Sequence, residues 1–114
     1  LFRNGPPNSV PPVATPPNTF ALHQNYPNPF NPETEIRFDV APAARISLIV
    51  YNLLGGEIKT LVHEEKAPGT YSVRWDGRDN QGRSVTSGIY FCKMIAPSSH
   101  QNPFIAVNKL ILLR

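Results

Sequence analysis

Gln24-Asn25-Tyr26-Pro27-Asn28-Pro29-Phe30-Asn31-Pro32 runs directly into Thr34-Glu35-Ile36-Arg37-Phe38-Asp39-Val40, and the junction between the two decides the fold. Proline fixes φ, lacks a backbone donor and pushes the preceding residue towards extended geometry. Neither a helix nor the interior of a sheet can absorb three prolines spaced in this way. The first stretch is therefore a stiff, extended loop, with Tyr26 and Phe30 free to clamp onto a core. The second alternates strictly, with Ile36, Phe38 and Val40 on one face, as a half-buried strand requires. A folded domain starts here.

The chain has 114 residues, which suits one small domain. Nine of its 13 prolines fall within residues 1–32. Residues 1–19 carry three Pro-Pro pairs and no hydrophobic period, the composition of a semi-rigid polyproline-type spacer. A spacer at this end implies something upstream. Leu1 is not a natural start, so the chain reads as the C-terminal piece of a longer protein. The expected division is a Pro-rich linker over 1–19 and a folded domain over 20–114.

The net charge is +3, with lysine and arginine scattered. Nucleic-acid binding would need a basic stripe, which is absent. No apolar run is long enough to span a membrane. Cys92 is the single cysteine, so an internal disulfide is excluded.

Further strands follow at even spacing, each bounded by Gly, Pro or Asn. Arg45–Tyr51 puts Ile46, Leu48 and Val50 inside and leaves Ile49 ambiguous. Glu57–His63 reads as a short strand around Ile58 and Leu61, and 64–69 as a charged connection. Thr70–Asp76 places Tyr71, Val73 and Trp75 on one face. Residues 76–87 form a polar loop. Gly88–Ala96 turns Tyr90, Cys92 and Met94 inward. Pro97–Pro103 is loose and polar, and Phe104–Leu113 is the last strand. With a short strand at Phe20–Leu22 the total is seven. No convincing amphipathic helix occurs. The pattern predicts an all-β, immunoglobulin-like (fibronectin type III-like) antiparallel β-sandwich. A domain of this size buries only about 60–70% of its unfolded surface, so its core leans on Trp75, Phe38, Tyr71 and Tyr90.

Chemistry-bearing groups are sparse. Cys92 lies mid-strand among apolar residues, where a buried inert thiol outweighs a nucleophile paired with His23, His63 or His100. The three histidines lack ligand spacing, so no zinc or other metal is expected. Asp76-Gly77-Arg78-Asp79-Asn80-Gln81-Gly82 has Arg78 and Gln81 where a calcium loop needs oxygen ligands. Its Asp and Asn side chains suit Asx-type turns instead. Trp75, Tyr71 and Tyr90 could in principle form a sugar platform, but their alternation with Ser72 and Arg74 favours the core. No paired carboxylates are present. The expectation is a non-enzyme without cofactors.

Four segments in order carry a family likeness: Gln24 to Pro32; Val50-Tyr51-Asn52-Leu53-Leu54-Gly55; Trp75-Asp76-Gly77-Arg78-Asp79-Asn80-Gln81-Gly82 running on to Ser87-Gly88-Ile89-Tyr90-Phe91; and Lys109-Leu110-Ile111-Leu112-Leu113-Arg114. Over residues 20–114 the chain closely resembles the type A C-terminal sorting domain of proteins exported by the type IX secretion system. Its middle portion also resembles the immunoglobulin-like domain of the flagellar hook-capping protein. The first resemblance implies a C-terminal signal on a secreted protein of a Gram-negative bacterium, exported through the periplasm. It implies recognition by the outer-membrane export machinery, processing by a sortase-type surface protease, and release or surface attachment. Carried over by residue, the recognition elements are Gly88, Tyr90, Lys109, Leu110, Leu112, Leu113 and Arg114. The alternative is an ancillary binding or spacer module, for instance a carbohydrate-binding one, on an extracellular hydrolase.

The terminal run also has a physical reading of its own. Leu110 and Leu112 suit a core-facing strand, yet Ile111 and Leu113 are apolar on the other face. Such a strand is either covered by a loop such as Tyr26–Phe30 or awaits a partner at its edge. Lys109 and Arg114 flank it, either as guards against aggregation or as charges read by the exporter.

Overall fold

The computed structural model describes residues 17–97 and 102–114. The linker reading of residues 1–16, and the centre of the expected 97–103 loop, lie outside those residues. Seven strands follow in order: β1 Ala21–Leu22, β2 Thr34–Val40, β3 Ala44–Tyr51, β4 Glu57–Lys66, β5 Gly69–Trp75, β6 Gly88–Ala96 and β7 Phe104–Leu112. They form a three-stranded sheet ordered β1-β2-β5 and a four-stranded sheet ordered β4-β3-β6-β7, and every strand pairing is antiparallel. No helix occurs among the described residues. The architecture is the immunoglobulin-like sandwich expected from the alternation.

The period of two places the core. Ile36, Phe38 and Val40 from β2 meet Ile46, Leu48 and Val50 from β3, Cys92 and Met94 from β6, and Leu110 and Leu112 from β7, all buried. Ile49, the ambiguous position, points to the outer face and is half-buried. Trp75 is fully buried. Its ring packs against Phe30 at 5.6 Å and Tyr90 at 5.4 Å, and its indole N–H donates to the Arg78 carbonyl at 2.9 Å. Large aromatics with satisfied polar ends suit so small a core. Tyr71 stacks on Phe38 at 5.5 Å and is half-buried, because β5 is an edge strand.

β1, β3 and β5 shift from expectation by one residue at one or both ends, and two other boundaries have an identifiable cause. β4 runs three residues further, to Lys66, because Glu64 and Glu65 pair with Ile46 and Arg45 of β3. Charged side chains on an edge strand are compatible with pairing, so the charge run did not end the ladder. β7 stops at Leu112, and Leu113 donates its amide to the Phe30 carbonyl instead.

Trp75→Ala removes the largest buried side chain and should cost roughly 3–5 kcal/mol of unfolding free energy. Urea denaturation followed by far-ultraviolet circular dichroism measures this. A loss below about 1 kcal/mol would contradict the core placement.

Candidate functional site: the terminal strand and its cover

The free side of β7 is covered from Lys109 onwards by the loop that follows β1. Phe30 donates its amide to the Ile111 carbonyl and accepts from the Leu113 amide, both at 2.9 Å. Phe30 and Leu112 thereby form a parallel bridge. The Asn28 side chain accepts from the Ile111 amide at 2.9 Å, and Gln24 donates to the Lys109 carbonyl at 2.9 Å. The covering loop of the sequence reading is thus what the structure contains.

The loop is stiff because its own polar groups are satisfied inside it. Asn25 is buried and donates to the Thr34 hydroxyl and the Pro27 carbonyl, and Thr34 in turn donates to that carbonyl at 2.8 Å. The Tyr26–Pro27, Asn28–Pro29 and Asn31–Pro32 peptide bonds are cis. Of the two expected aromatic clamps, only Phe30 acts as one, at 2% exposure. Tyr26 is 80% exposed: its amide and carbonyl bond to Glu35, which aims the ring outward.

The seven residues named from the family resemblance come together at one end of the β6–β7 pair. Gly88 lies opposite Leu112 and Tyr90 opposite Leu110. Their exposures differ, and Gly88 is half-buried. Tyr90, Leu110 and Leu112 are buried, and the Tyr90 hydroxyl donates to the Thr86 carbonyl at 2.7 Å. Lys109, Leu113 and Arg114 are exposed. Arg114 folds back onto the loop after β5: Nε donates to the Val85 carbonyl and Nη2 to the Gly77 carbonyl, both at 2.6 Å. Its backbone amide donates to the Ser87 hydroxyl. Gly77 has φ +74°, and a Cβ there would stand 2.7 Å from Arg114 Nη2. The glycine of the Trp75-Asp76-Gly77 turn thus makes room for the terminal guanidinium.

The same loop contains the expected Asx turns. Asp76 accepts from the Arg78 amide, and Asp79 accepts from the Gln81 and Arg83 amides. The Arg83 amide holds the Asp79 carboxyl below its usual range, aided by the Gln81 amide and the Arg83 guanidinium. No cluster of three potential metal ligands occurs among the described residues. Cys92 is buried, and desolvation pushes its thiol up to about 12. The sugar platform does not form, since Trp75 and Tyr90 are interior.

The residues 25–99 match the family model described as the FlgD Ig-like domain, more than half of the chain. The chain belongs to the FlgD Ig-like domain family. Among solved structures it is similar to dimeric latent PorU from Porphyromonas gingivalis, at 16% identity and a TM-score of 0.68, covering 91% of this chain and 10% of that one. It is similar to FlgD from P. aeruginosa, at 19% identity and a TM-score of 0.56, covering 68% of this chain and 60% of that one. PorZ, described as an essential surface component of the type IX secretion system of Porphyromonas gingivalis, matches at 21% identity and a TM-score of 0.52, over 83% of this chain and 11% of that one. The chain spans about a tenth of PorU and PorZ. At these identities the likeness shows the immunoglobulin-like fold. No curated protein matches the chain.

Sequence reasoning did not single out Gln24, Asn28, Ile105 or Val107. The sequence of Phe104–Leu112 carried a signal for the last two, since Ile105, Val107 and Ile111 are apolar on the face opposite Phe104, Leu110 and Leu112.

Phe30→Ala should cost about 3–5 kcal/mol and raise hydrogen exchange at the Ile111 and Leu113 amides, while Tyr26→Ala stays within about 0.5 kcal/mol. Equal effects of the two would remove Phe30 as the anchor. A second test uses Cys92. Its folded pKa, about 12, exceeds the ordinary value of 9.0, so its contribution is fully present below pH 9 and falls as the unfolded chain ionises between pH 9 and 12. Relative to Cys92→Ala, the protein should lose about 1.4 kcal/mol per pH unit across that window, read by denaturation at stepped pH. Parallel curves for the two proteins would refute the burial of the thiol.

Proposed function

We propose that this chain is a non-catalytic C-terminal sorting domain, read by the type IX export machinery and carried on a larger secreted protein. The single observation that carries the reading is the sandwich shape shared with PorU and with PorZ, the latter described as a surface component of that system. Membership of the FlgD Ig-like family fits a module that binds rather than reacts. Residues 1–19 are the spacer that holds the domain, 20–114, clear of its cargo. The partners are the outer-membrane exporter and a sortase-type surface protease, and the destination is the cell surface or medium of a Gram-negative bacterium.

The geometry supports a particular mode of reading. Leu110 and Leu112 are core residues, and Arg114 braces the loop after β5. A signal made of Lys109 to Arg114 is therefore inseparable from the folded domain. The exporter meets a folded sandwich and touches the exposed members whose side chains are not bonded within it, Lys109 and Leu113.

A reporter carrying a signal peptide and residues 1–114 should cross the outer membrane of a host with type IX machinery. Removal of residues 109–114 should leave it in the periplasm. Lys109→Ala, whose side chain is exposed, should leave folding within about 0.5 kcal/mol and lower export. Undiminished export of the six-residue deletion would sink the reading and leave an ancillary binding or spacer module.

A further inference from the structure

We propose that the open half of β7, Ile105 to Lys109, is a strand-addition site for an extended peptide that presents two apolar residues and one carboxylate at alternate positions. The inference rests on the sorting reading only for the identity of the protein that supplies the strand.

The geometry follows from parity. Lys109, Ile111 and Leu113 turn their backbone groups away from β6, towards Gln24, Asn28 and Phe30. Backbone direction alternates along a strand, so Ile105 and Val107 turn theirs the same way. The covering loop ends at Lys109, and no described residue bonds to the amides or carbonyls of Ile105 and Val107. Four backbone groups are left for a partner. Their side chains are exposed as well, 53% for Ile105 and 52% for Val107. The opposite edge of this sheet is built differently. β4 carries Glu57, Lys59, Glu64, Glu65 and Lys66, a charge pattern that repels stray strands. Between Phe104 and Asn108 the edge of β7 carries none.

Charge selects the occupant. On the outer face β6 and β7 present Ile89, Ile95, Ile105 and Val107 beside Lys93 and Lys109, and neither strand contains a carboxylate. A second copy adding through its own β7 edge would bring two more lysines to the same face with no acid to answer them. A lipid surface could cover the isoleucines, but the hydrocarbon that did so has no groups to pair the two free amides and two free carbonyls. A strand with apolar residues against Ile105 and Val107 and a carboxylate against Lys109 satisfies every group, with main-chain bonds for affinity and alternate side chains for selection.

The test uses the 1–114 protein and two capped synthetic peptides, TETVTVT and TKTVTVT, with binding read from the Ile105 and Val107 amide signals by NMR. TETVTVT should bind saturably, and TKTVTVT about tenfold more weakly. Lys109→Glu should reverse that order. Val107→Pro removes only an outward donor, which an edge strand tolerates, and should abolish binding. Should that variant unfold, Ile105→Lys serves the same purpose. Equal binding of both peptides, no binding of TETVTVT, or binding that survives both edge variants would overturn the proposal. Self-association in sedimentation that Val107→Pro abolishes would also overturn it, in favour of a second copy. The assay contains no exporter. Failed export with intact peptide binding removes the sorting reading alone, and intact export without peptide binding removes this site alone.

Discussion

The fold depends on where Phe30 is held. Its ring fills the space beside Trp75, and its amide and carbonyl bind Ile111 and Leu113. One residue therefore closes the mouth between the sheets and the outer edge of the last strand together. Each backbone bond contributes about 0.5–1.5 kcal/mol, and the buried ring adds roughly 1.5–3 kcal/mol. The proline-rich loop is what makes the placement affordable. Restricted φ at Pro27, Pro29 and Pro32 lowers the entropy lost on ordering, and Asn25 with Thr34 satisfies the polar groups left inside.

From this anchor the last strand acquires a double character. Its even residues face inward, Leu110 and Leu112 into the core, and its odd residues turn backbone groups outward. The covering loop reaches only from Lys109 to Leu113, so one strand has a sealed half and an open half. Arg114 continues the sealed half by binding the Gly77 and Val85 carbonyls. Groups committed in this way brace the fold. Any surface reading of the same segment falls to what remains outside: Lys109, Leu113 and the open edge beside them.

Much of the architecture was legible because the dominant signal is local. Alternation in Thr34–Val40, Arg45–Tyr51 and Gly88–Ala96 states which face is buried, and the structure agrees at Phe38, Leu48 and Met94. Trp75 was legible by the same period, and Asp76 and Asp79 by turn chemistry. What the sequence concealed was non-local. Tyr26 and Phe30 are equivalent as letters, and only the register of Tyr26 against Glu35 turns one outward and the other in. Arg114 looked like a free charge because its carbonyl partners lie 29 and 37 positions away. The end of β4 was misread because charge in a sequence marks solvent, while pairing with Arg45 and Ile46 requires only a backbone. Of the candidate site, the family resemblance located the strand pair, but burial alone separates Tyr90, Leu110 and Leu112 from Lys109 and Leu113.

The two edges of the four-stranded sheet face the same physical hazard and meet it differently. An unpaired edge invites any extended chain. β4 meets this with charge towards both of its ends, which costs little where those side chains reach solvent. β7 could not use the same device at Leu110 and Leu112 without placing charge in the core. There a loop covers the edge instead, and the cover extends only as far as the stiff run from Gln24 to Phe30 can reach. Ile105 and Val107 lie beyond it, on the outer face, where lysine or glutamate would have fitted without disturbing a single core contact. Apolar side chains at two positions where charge was free to stand, next to four unpaired backbone groups, give that short edge the chemistry of a surface built to be covered by another chain.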